Sequence, residues 1–252
     1  MYSLLKPLYR KFIPNQIHYR IEPFLRFIIY SLFYKGHTVT CPICLSSAKK
    51  YISISFKDSE DKICTKCGSL SRSRALTIYI EENYQNKNLK VLDFSPHRSL
   101  YDFLKSKFKY YISTDYENQF YAHKNHDITQ IEEKDESFDL IICFHVLEHI
   151  LNDQKAIKEL YRILKENGVI LIQVPLKEGL TYEDPNITSK NGRKEAFGQE
   201  DHVRVYGKES LVKKLKDFQL KVEIVDISKN LKVIEKNSFG ILENEILFKC
   251  IK

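Results

Sequence analysis

Four cysteines occur in two closely spaced pairs in the first third of the chain. Cys41-Pro-Ile-Cys44 and Cys64-Thr-Lys-Cys67 are separated by 19 residues. Each pair can place two thiolates on one side of a tight turn, and two such turns joined by a hairpin complete a tetrahedral site. The spacing predicts a structural Zn²⁺ bound by Cys41, Cys44, Cys64 and Cys67, with no coordination position open for catalysis. The alternative is a set of reduced or redox-active thiols.

Two arginines follow the second pair. The run from Gly68 to Arg74, Gly-Ser-Leu-Ser-Arg-Ser-Arg, places Arg72 and Arg74 two residues apart. Guanidinium groups beyond a rigid turn could bind a phosphate or carboxylate through paired hydrogen bonds. They could equally remain solvated or pair with acids, and the sequence leaves both interpretations open.

Acidic side chains lie near the ends of two apolar stretches farther along the chain. One strand-like run ends in the turn Asp93-Phe-Ser-Pro-His97, and a second, about twenty residues later, ends at Asp115. In doubly wound folds, ligands bind at the carboxyl ends of the strands near a topological switch point. An acid at position 115 could there accept hydrogen bonds from both hydroxyls of a ribose.

Strand and helix patterns alternate from about residue 89 onward. This alternation predicts an α/β fold with a mostly parallel, doubly wound sheet. Gly168 is expected to end a helix before the next strand. Cys143 and Cys250 lie in apolar runs and are expected in the core. The predicted strands are Lys90–Phe94, Tyr110–Thr114, Phe138–Phe144, Val169–Val174, Lys221–Asp226 and Glu245–Cys250, and the predicted helices are Ser99–Lys107, Asn152–Lys165 and Lys208–Phe218.

The stretch from about 89 to 175 resembles the class I S-adenosylmethionine-dependent methyltransferases. The run most similar to their central strand–helix–strand segment is SFDLIICFHVLEHILNDQKAIKELYRILKENGVILIQVP. The resemblance implies a Rossmann-like fold with S-adenosylmethionine as cofactor, in which Asp115 binds the ribose and Asp127 with Ile128 brackets the adenine. It implies that the methionine part lies beside Phe144 and His145. The cofactor-binding residues expected on this basis are Asp93, Phe94, Ser95, Asp115, Tyr116, Asp127, Ile128, Phe144 and His145.

Residues 41 to 210 also resemble a narrower subgroup of these enzymes. Its members share a cysteine-pair ribbon that ends in CGSLxRxR, followed later by TYEDPxIT and FGQxDHVRxYG motifs. Here the two later motifs are Thr181–Thr188 and Phe197–Gly207. Many members look like bacterial surface-glycan enzymes.

The turn after the first strand departs from the family pattern. The family has a glycine-rich run at this place, where backbone N–H groups approach the ligand. This chain has Ser95-Pro96-His97-Arg98 instead, and the proline removes one donor. A non-catalytic protein on a methyltransferase fold therefore stays open as an alternative.

A second motif overlaps the same region. His145-Val-Leu-Glu148-His149 also matches H-x-x-E-H, the inverted zinc-peptidase pattern, which needs both histidines on one helix. The seven residues before His145 are strand-like, so His145 is expected at a strand end. The sequence disfavours a zinc hydrolase.

The long connection between residues 176 and 207 is dense in polar residues, and loops of this length are usually functional. Methyl transfer to a hydroxyl needs a base that removes its proton. We expect His202 to be that base, oriented by Asp201, with His149 as second choice; a structural histidine at 202 is the alternative. The residues expected to hold the acceptor are Tyr182, Asp184, Arg204 and Tyr206.

Composition and charge limit the classes of partner that the sequence indicates. The net charge of +7 comes with 33 acidic residues, so composition alone does not indicate nucleic acid. Residues 1–36 carry six basic residues and one acid among apolar ones, which fits either a helical lead-in packed on the domain or contact with anionic lipid headgroups. No cleavable signal peptide is evident, and the apolar stretch Phe24–Tyr34 is too short to span a bilayer. We expect a cytoplasmic protein, at most touching the inner face of the membrane.

These observations predict a basic amphipathic segment (1–36), a zinc ribbon (37–74) and a Rossmann-like methyltransferase domain (75–252) with a substrate loop (176–207). The preferred function is O-methylation of a hydroxylated small molecule or of a surface-glycan sugar. RNA methylation with the ribbon as binding module is a second hypothesis, disfavoured because lysines are spread along the chain and the ribbon itself contains acids. A non-catalytic interaction protein is the third.

Overall fold

The computed structural model describes residues 15–55, 60–117 and 122–252. Residues 1–14 of the predicted basic segment lie outside these ranges. Within them the elements in chain order are α1 (Asn15–Ile29) with a π-helical turn (Tyr30–Tyr34), β1 (Lys35–Thr40), β2 (Ser47–Ala48), β3 (Ile52–Ser55), β4 (Glu60–Ile63), α2 (Ser71–Asn83), β5 (Lys90–Phe94), α3 (Arg98–Lys107), β6 (Tyr110–Thr114), β7 (Phe138–Phe144), a 3₁₀ turn (Leu147–His149), α4 (Asp153–Ile163), β8 (Leu164–Gln173), β9 (Leu176–Lys177), β10 (Tyr182–Glu183), α5 (Lys190–Phe197), β11 (Arg204–Gly207), α6 (Lys208–Asp217), β12 (Lys221–Asp226), α7 (Ile227–Asn230), α8 (Val233–Phe239) and β13 (Ile246–Ile251).

The predicted doubly wound sheet is confirmed. Six of the described strands pair in the order β12-β13-β8-β7-β5-β6, and β13 alone runs antiparallel to its neighbours. In the central strand β7, all residues of Leu140–Cys143 are fully buried, with no alternation between buried and exposed positions. Both faces of the sheet must therefore be covered by other elements. Cys143 and Cys250 are both buried in this sheet, as predicted.

Helices cover the two faces of the sheet. On one face, α4 buries Ala156, Ile157, Leu160 and Ile163, whose spacing forms a single helical stripe, together with leucines of α6. On the other face, α2 and α3 pack apolar residues against β5 and β7. This arrangement leaves the carboxyl ends of β5, β6 and β7 at one edge of the sheet, which is where ligands bind in such folds.

The predicted boundary between α4 and β8 is wrong. Gly168 does not end a helix: α4 stops at Ile163, and Leu164 already pairs with Phe138 in the sheet. Strand β8 therefore begins at Leu164, earlier than predicted. An irregularity in the register between β7 and β8 accommodates this early start, and Asn167 takes a left-handed conformation with φ of 60°. Gly168 lies inside β8.

Arg74 joins the cysteine-rich part of the chain to the sheet domain. It is fully buried, and its guanidinium donates to the carbonyls of Ser69 (2.5 Å), Lys62 (2.8 Å), Phe239 (2.7 Å) and Gly240 (2.7 Å). Both sequence-based interpretations are therefore wrong for Arg74. Its donors are committed to main-chain oxygens, so it does not bind an anion, and within the described residues it is neither solvated nor paired with an acid.

The segment 176–207 is folded rather than irregular. Its strands form a small sheet in the order β10-β11-β9, and α5 lies between β10 and β11. The helix ends at Gly198, whose φ of 89° is a conformation that glycine adopts without strain. This turn returns the chain toward the main sheet at His202.

The described part of the N-terminal segment is helical and leaves a group of large apolar side chains exposed. Glu22 pairs with Arg26 (2.8 Å) and with Arg98 (3.1 Å), which ties α1 to the domain. In the described ranges, no helix combines the length and the apolar character that a membrane span requires. The exposed apolar residues are Ile21, Phe24, Phe27, Ile28, Leu32 and Phe33.

Candidate functional site

The four cysteine thiols converge at one point. Cys41 Sγ lies 3.7 Å from Cys67 Sγ, Cys44 Sγ lies 3.8 Å from Cys64 Sγ, and all four sulfurs lie within 4.8 Å of one another. In a tetrahedral site with Zn–S bonds of about 2.3 Å, neighbouring sulfurs are ~3.8 Å apart. The thiols therefore have the spacing that a tetrahedral metal site requires.

The two knuckles that carry these thiols repeat the same backbone pattern. The amide N–H of Leu45 donates to the carbonyl of Cys41 (2.9 Å), and that of Gly68 donates to the carbonyl of Cys64 (3.0 Å). Both residues are left-handed, with φ of 53° and 79°. The repetition places each pair of thiolates on one side of its turn, as the sequence predicts.

A cleft of about 560 Å³ opens at the carboxyl ends of β5 and β7, which is within the usual range for a ligand pocket. It extends from the turn after β5 to the segment that carries His202. Volume and position both suit the nucleoside–amino acid cofactor that the family resemblance implies. Residues that line it include Asp93, Phe94, Ser95, His97, Phe144, His145, Glu148, His149 and His202.

The glycine-free turn after β5 keeps a glycine-like backbone. Ser95 adopts φ of 50°, a conformation that costs a non-glycine residue about 1 kcal/mol or more. Its hydroxyl donates to Asp115 Oδ1 (2.9 Å), and its N–H donates to the carbonyl of Thr114 (2.7 Å). The turn thus binds the end of β6 and orients the carboxylate predicted to hold the ribose.

Asp93 lies on the floor of the cleft and is almost completely buried. Burial raises the pKa of its carboxyl to about 8, although the hydroxyl of Tyr111 donates to Asp93 Oδ2 (2.8 Å) and opposes that rise. The carboxyl group is therefore largely protonated at neutral pH.

The residues predicted around the adenine fall into two groups. Ile128 is buried, whereas Tyr116 and Asp127 are exposed. Asp127 Oδ1 accepts hydrogen bonds from the N–H and the hydroxyl of Thr129, both 2.8 Å. These contacts occupy Asp127 in its own turn, and the assignment of adenine contacts stays a prediction.

Glu148, His149 and His202 form a compact polar cluster at the far side of the cleft. One ligand-type atom of each lies within 4.8 Å of the others. Glu148 is fully buried, and neither of its oxygens accepts a well-formed hydrogen bond from the residues that the structure describes, although His145 Nδ1 lies 3.2 Å from Oε1. Burial opposes ionisation of Glu148, but the neighbouring His145 and His149 together outweigh it and lower the pKa of the carboxyl.

The partners of the two histidines differ from the prediction. His202 Nδ1 donates to the carbonyl of Phe197 (3.1 Å), so Asp201 does not orient it. Asp201 Oδ2 instead lies 3.4 Å from His149 Nδ1. Asp201 is exposed while His202 is buried, so the two adjacent side chains point to different surroundings.

Arg204 and Tyr206 are not free to hold an acceptor, which corrects the prediction. Arg204 donates to the carbonyls of Leu147 (3.1 Å), Ile150 and Leu151 (2.9 Å), and the Tyr206 hydroxyl donates to Asp153 Oδ2 (2.6 Å). Both side chains are buried, and their hydrogen bonds stabilise the 3₁₀ turn and the start of α4.

The same support fixes the cluster, since the N–H of Val203 donates to the carbonyl of Glu148 (2.9 Å). Two other predicted acceptor residues lie outside the cleft lining. The Tyr182 ring packs near Phe197 at 5.5 Å, and Asp184 accepts from the N–H of Asn186 (2.9 Å). Their role in binding the acceptor is therefore not supported by position.

Sequence reasoning missed Glu148 and gave Arg72 no fixed role. Arg72 borders the 560 Å³ cleft and a second cleft of about 660 Å³, and the two also share Asp61, His145 and Pro175 in their linings. Arg72 makes no hydrogen bond or ion pair with any part of the chain that the structure describes. In the sequence, Arg72 is marked only as part of the CGSLxRxR run. The fold is needed to show which of the two arginines in that run faces the cleft.

Comparison with known proteins gives a family and a fold. The methyltransferase domain family matches residues 66–225, well over half of the chain. An uncharacterized protein of Methanocaldococcus jannaschii is 41% identical over 58 residues, which is 23% of this chain and 25% of that protein. The chain thus spans about a quarter of the length of that curated relative.

Solved structures of methyltransferases are similar to this chain. A complex of the Trm112 methyltransferase activator with a methyltransferase from Haloferax volcanii aligns with a TM-score of 0.50 at 13% identity, covering 71% of this chain and 90% of that one. An S-adenosylmethionine-dependent methyltransferase from Archaeoglobus fulgidus gives 0.49 at 15% identity, covering 71% and 92%. At this identity the likeness concerns the fold alone. By its family match and its sheet, the chain belongs to the methyltransferase domain family, with the Rossmann-like fold of the class I S-adenosylmethionine-dependent enzymes.

Proposed function

We propose that this protein methylates a hydroxyl group of a small molecule or of a glycan sugar, with S-adenosylmethionine as donor. The observation that carries the proposal is the position of the buried cluster of Glu148, His149 and His202. It lies in the cleft that also contains the ends of β5 and β7. Proton-accepting groups thus face the place where the family holds its cofactor.

The residues present fit this cofactor. Asp115 would hold the ribose, and Phe144 with His145 would lie beside the methionine part. S-Adenosylmethionine supplies an electrophilic methyl group on a sulfonium sulfur. Attack by the acceptor oxygen forms the O–CH₃ bond and breaks the S–CH₃ bond, whose electron pair stays on sulfur. The protein must align the acceptor and remove its proton, either directly with His202 or His149 or through an ion that they bind.

Arg72 makes no hydrogen bond or ion pair within the described ranges, and it lines the cleft. Arg72 faces the junction of the two clefts and is suited to bind a carboxylate. We assign it to the carboxylate of the cofactor.

The experiment for the proposal is acceptor-dependent release of S-adenosylhomocysteine. Purified protein with S-adenosylmethionine is offered hydroxylated sugars and sugar nucleotides, and products are examined for a mass gain of one methyl group. We expect turnover with at least one hydroxylated acceptor and its loss in Asp115→Ala. Turnover only with RNA, together with micromolar, salt-sensitive RNA binding, would support the alternative function instead.

We also propose that the four thiols hold a structural Zn²⁺. The sulfur spacing supports Zn²⁺, because thiolates select soft or borderline metals and a closed Cys₄ set suits a structural site. The boundaries of the zinc ribbon, after residue 36 and after residue 74, also belong to this proposal. The second boundary falls inside α2.

A peripheral membrane contact through residues 1–36 is proposed on the exposed apolar side chains of α1 and the following turn. Phe24, Leu32 and Phe33 are each more than half exposed. Exposed apolar side chains in a segment whose sequence is basic favour anionic interfaces. Cosedimentation with anionic vesicles but not with neutral ones would support the contact, and Phe24→Ser with Leu32→Ser should abolish it.

A further inference from the structure

The structure points to a second metal site: we propose that Glu148, His149 and His202 bind a divalent transition-metal cation that holds and activates the acceptor hydroxyl. This inference rests on the proposed function and specifies how the cluster removes the proton. Three donor atoms of the kind that metals use lie within 4.8 Å of one another. They come from the 3₁₀ turn after β7 and from the segment before β11.

The carboxylate is the first argument. Glu148 is fully buried at the cleft, and both of its oxygens lack a well-formed hydrogen bond within the described chain. A buried, unpaired carboxylate costs several kcal/mol, so such groups are normally paired or coordinate a metal. His145 Nδ1 approaches Oε1 to 3.2 Å without a well-formed hydrogen bond, so both oxygens are left to be satisfied.

The surroundings of the two histidine Nδ1 atoms are the second argument. His202 Nδ1 donates to the Phe197 carbonyl (3.1 Å), and His149 Nδ1 lies 3.4 Å from the Asp201 carboxylate. Metal-bound histidines usually donate their other ring N–H to a carbonyl or a carboxylate, which fixes the tautomer and the ring orientation. His202 is therefore left with Nε2 as its free lone pair, and the carboxylate beside Nδ1 of His149 favours the same tautomer there.

The backbone supplies the third argument, because the two ligand-bearing segments are held in register. The N–H of Val203 donates to the carbonyl of Glu148 (2.9 Å), and Arg204 donates to the carbonyl of Leu147 in the 3₁₀ turn and to that of Leu151 after it. Precise placement of ligands by such supports is what a metal site requires.

The ligand set indicates the class of cation. Two imidazoles and one carboxylate suit Zn²⁺, Mn²⁺, Fe²⁺ or Co²⁺ better than Mg²⁺ or Ca²⁺, which prefer all-oxygen sites. Three protein ligands leave positions open on the cleft side, unlike the closed Cys₄ set. An acceptor hydroxyl bound there would lose its proton to water in the cleft, since a cation lowers the pKa of a bound oxygen. The deprotonated oxygen then attacks the methyl group, and the sulfonium sulfur keeps the electron pair of the broken bond.

The experiment is a titration of the full-length, zinc-containing protein with Mn²⁺. Binding is measured as the loss of the magnetic resonance signal of free Mn²⁺. Mn²⁺ accepts imidazole and carboxylate ligands and competes poorly for thiolates, so the Cys₄ site does not contribute. We expect one Mn²⁺ per chain in the wild type and at least tenfold weaker binding in His202→Ala and in Glu148→Gln. The matched control is His37→Ala, which removes an exposed histidine of β1 and should bind as the wild type does.

Binding of S-adenosylhomocysteine is measured on the same samples. If that ligand binds but the wild type takes up no Mn²⁺, or if His202→Ala binds Mn²⁺ as tightly as the wild type, the cation site is overturned while the methyltransferase proposal stands. If the cation binds as expected but S-adenosylhomocysteine does not, the proposed function fails instead. Normal S-adenosylhomocysteine binding by the variants shows that they are folded.

Discussion

Arg72 and Arg74 lie two residues apart on α2 but meet different surroundings. Arg74 is enclosed by four main-chain carbonyls and stacks over Tyr51 at 4.3 Å, whereas Arg72 faces the junction of two clefts. A helix turns by about 200° over two residues, so the two side chains point to nearly opposite sides. One arginine therefore supports the fold and the other is available to a ligand.

We predict that Arg72 binds the amino-acid part of the cofactor. A ligand that lacks this part tests the prediction. Arg72→Ala should weaken S-adenosylhomocysteine about tenfold or more, because a charge-assisted bond contributes roughly 1.5–3 kcal/mol. Binding of 5′-methylthioadenosine, which lacks the amino-acid part, should be unchanged. Calorimetry with both ligands measures this difference, and an equal effect on the two would contradict the assignment.

Asp93 should make stability depend on pH in the direction opposite to that of an ion-paired acid. Its pKa is raised to about 8 in the folded protein, while an unfolded aspartate titrates near 4. Between these values the folded state holds a proton that the unfolded state has lost, so the free energy of unfolding falls as pH rises, by at most about 1.4 kcal/mol per pH unit. Below pH 4 the contribution is fully present, and above pH 8 it is lost.

Urea unfolding of wild type and Asp93→Asn at pH 5, 7 and 9 tests this dependence. The amide is neutral at every pH and can still accept from the Tyr111 hydroxyl. The variant should therefore gain stability relative to the wild type as pH rises. A pH-independent difference between the two proteins would show that Asp93 is ionised when folded.

At the scale of elements, β11 and the 3₁₀ turn act as one unit. Arg204 is buried and donates to the carbonyl of Leu147 in that turn and to that of Leu151 after it. Arg204→Met should lower the free energy of unfolding by about 3 kcal/mol, because it leaves buried carbonyls unsatisfied and removes one of the two cations beside Asp153, the other being Lys214. Tyr206→Phe, which removes one hydroxyl bond, should cost only about 1 kcal/mol. Chemical denaturation gives both values, and a change below 0.5 kcal/mol in Arg204→Met would refute this role.

The elements around the site were partly predictable. Strands β5, β6 and β7 follow from continuous apolar runs, which also place Asp115 and His145 at strand ends. The pairing of Asp201 with His149 was not predictable, because the direction of two adjacent side chains depends on the backbone of a loop. The supporting role of Arg204 was hidden for a similar reason, since a charged residue in a polar loop gives no sign of burial until the carbonyls opposite it are known.

On the scale of the whole molecule, the cysteine-rich part and the sheet domain share α2. The second knuckle leads directly into this helix, and Arg74 bonds to both parts. We therefore expect metal loss at the thiols to destabilise the sheet domain as well. Cys64→Ser should lose zinc and lower the thermal midpoint by several degrees, whereas Cys143→Ala should keep its zinc. Metal analysis and calorimetric melting measure both, and an unchanged midpoint in zinc-free protein would contradict the coupling.

The overall fold was predictable because alternation of strands and helices restricts topology strongly. Thr77 and its neighbours in α2 were not recognised as helical, since the helix is buried nearly all round and lacks an amphipathic stripe. The fold of residues 176–207 was likewise missed, because two-residue strands leave no periodicity to read.

The central claim is that the glycine-free cleft binds the methyl donor, and calorimetry with S-adenosylhomocysteine tests it most directly. We predict binding at one site per chain, weakened at least tenfold in Asp115→Ala and unchanged in Asp217→Ala, an exposed acid at the end of α6. Absence of binding by the wild type would contradict the claim, and equal binding by wild type and Asp115→Ala would show that the cofactor lies elsewhere.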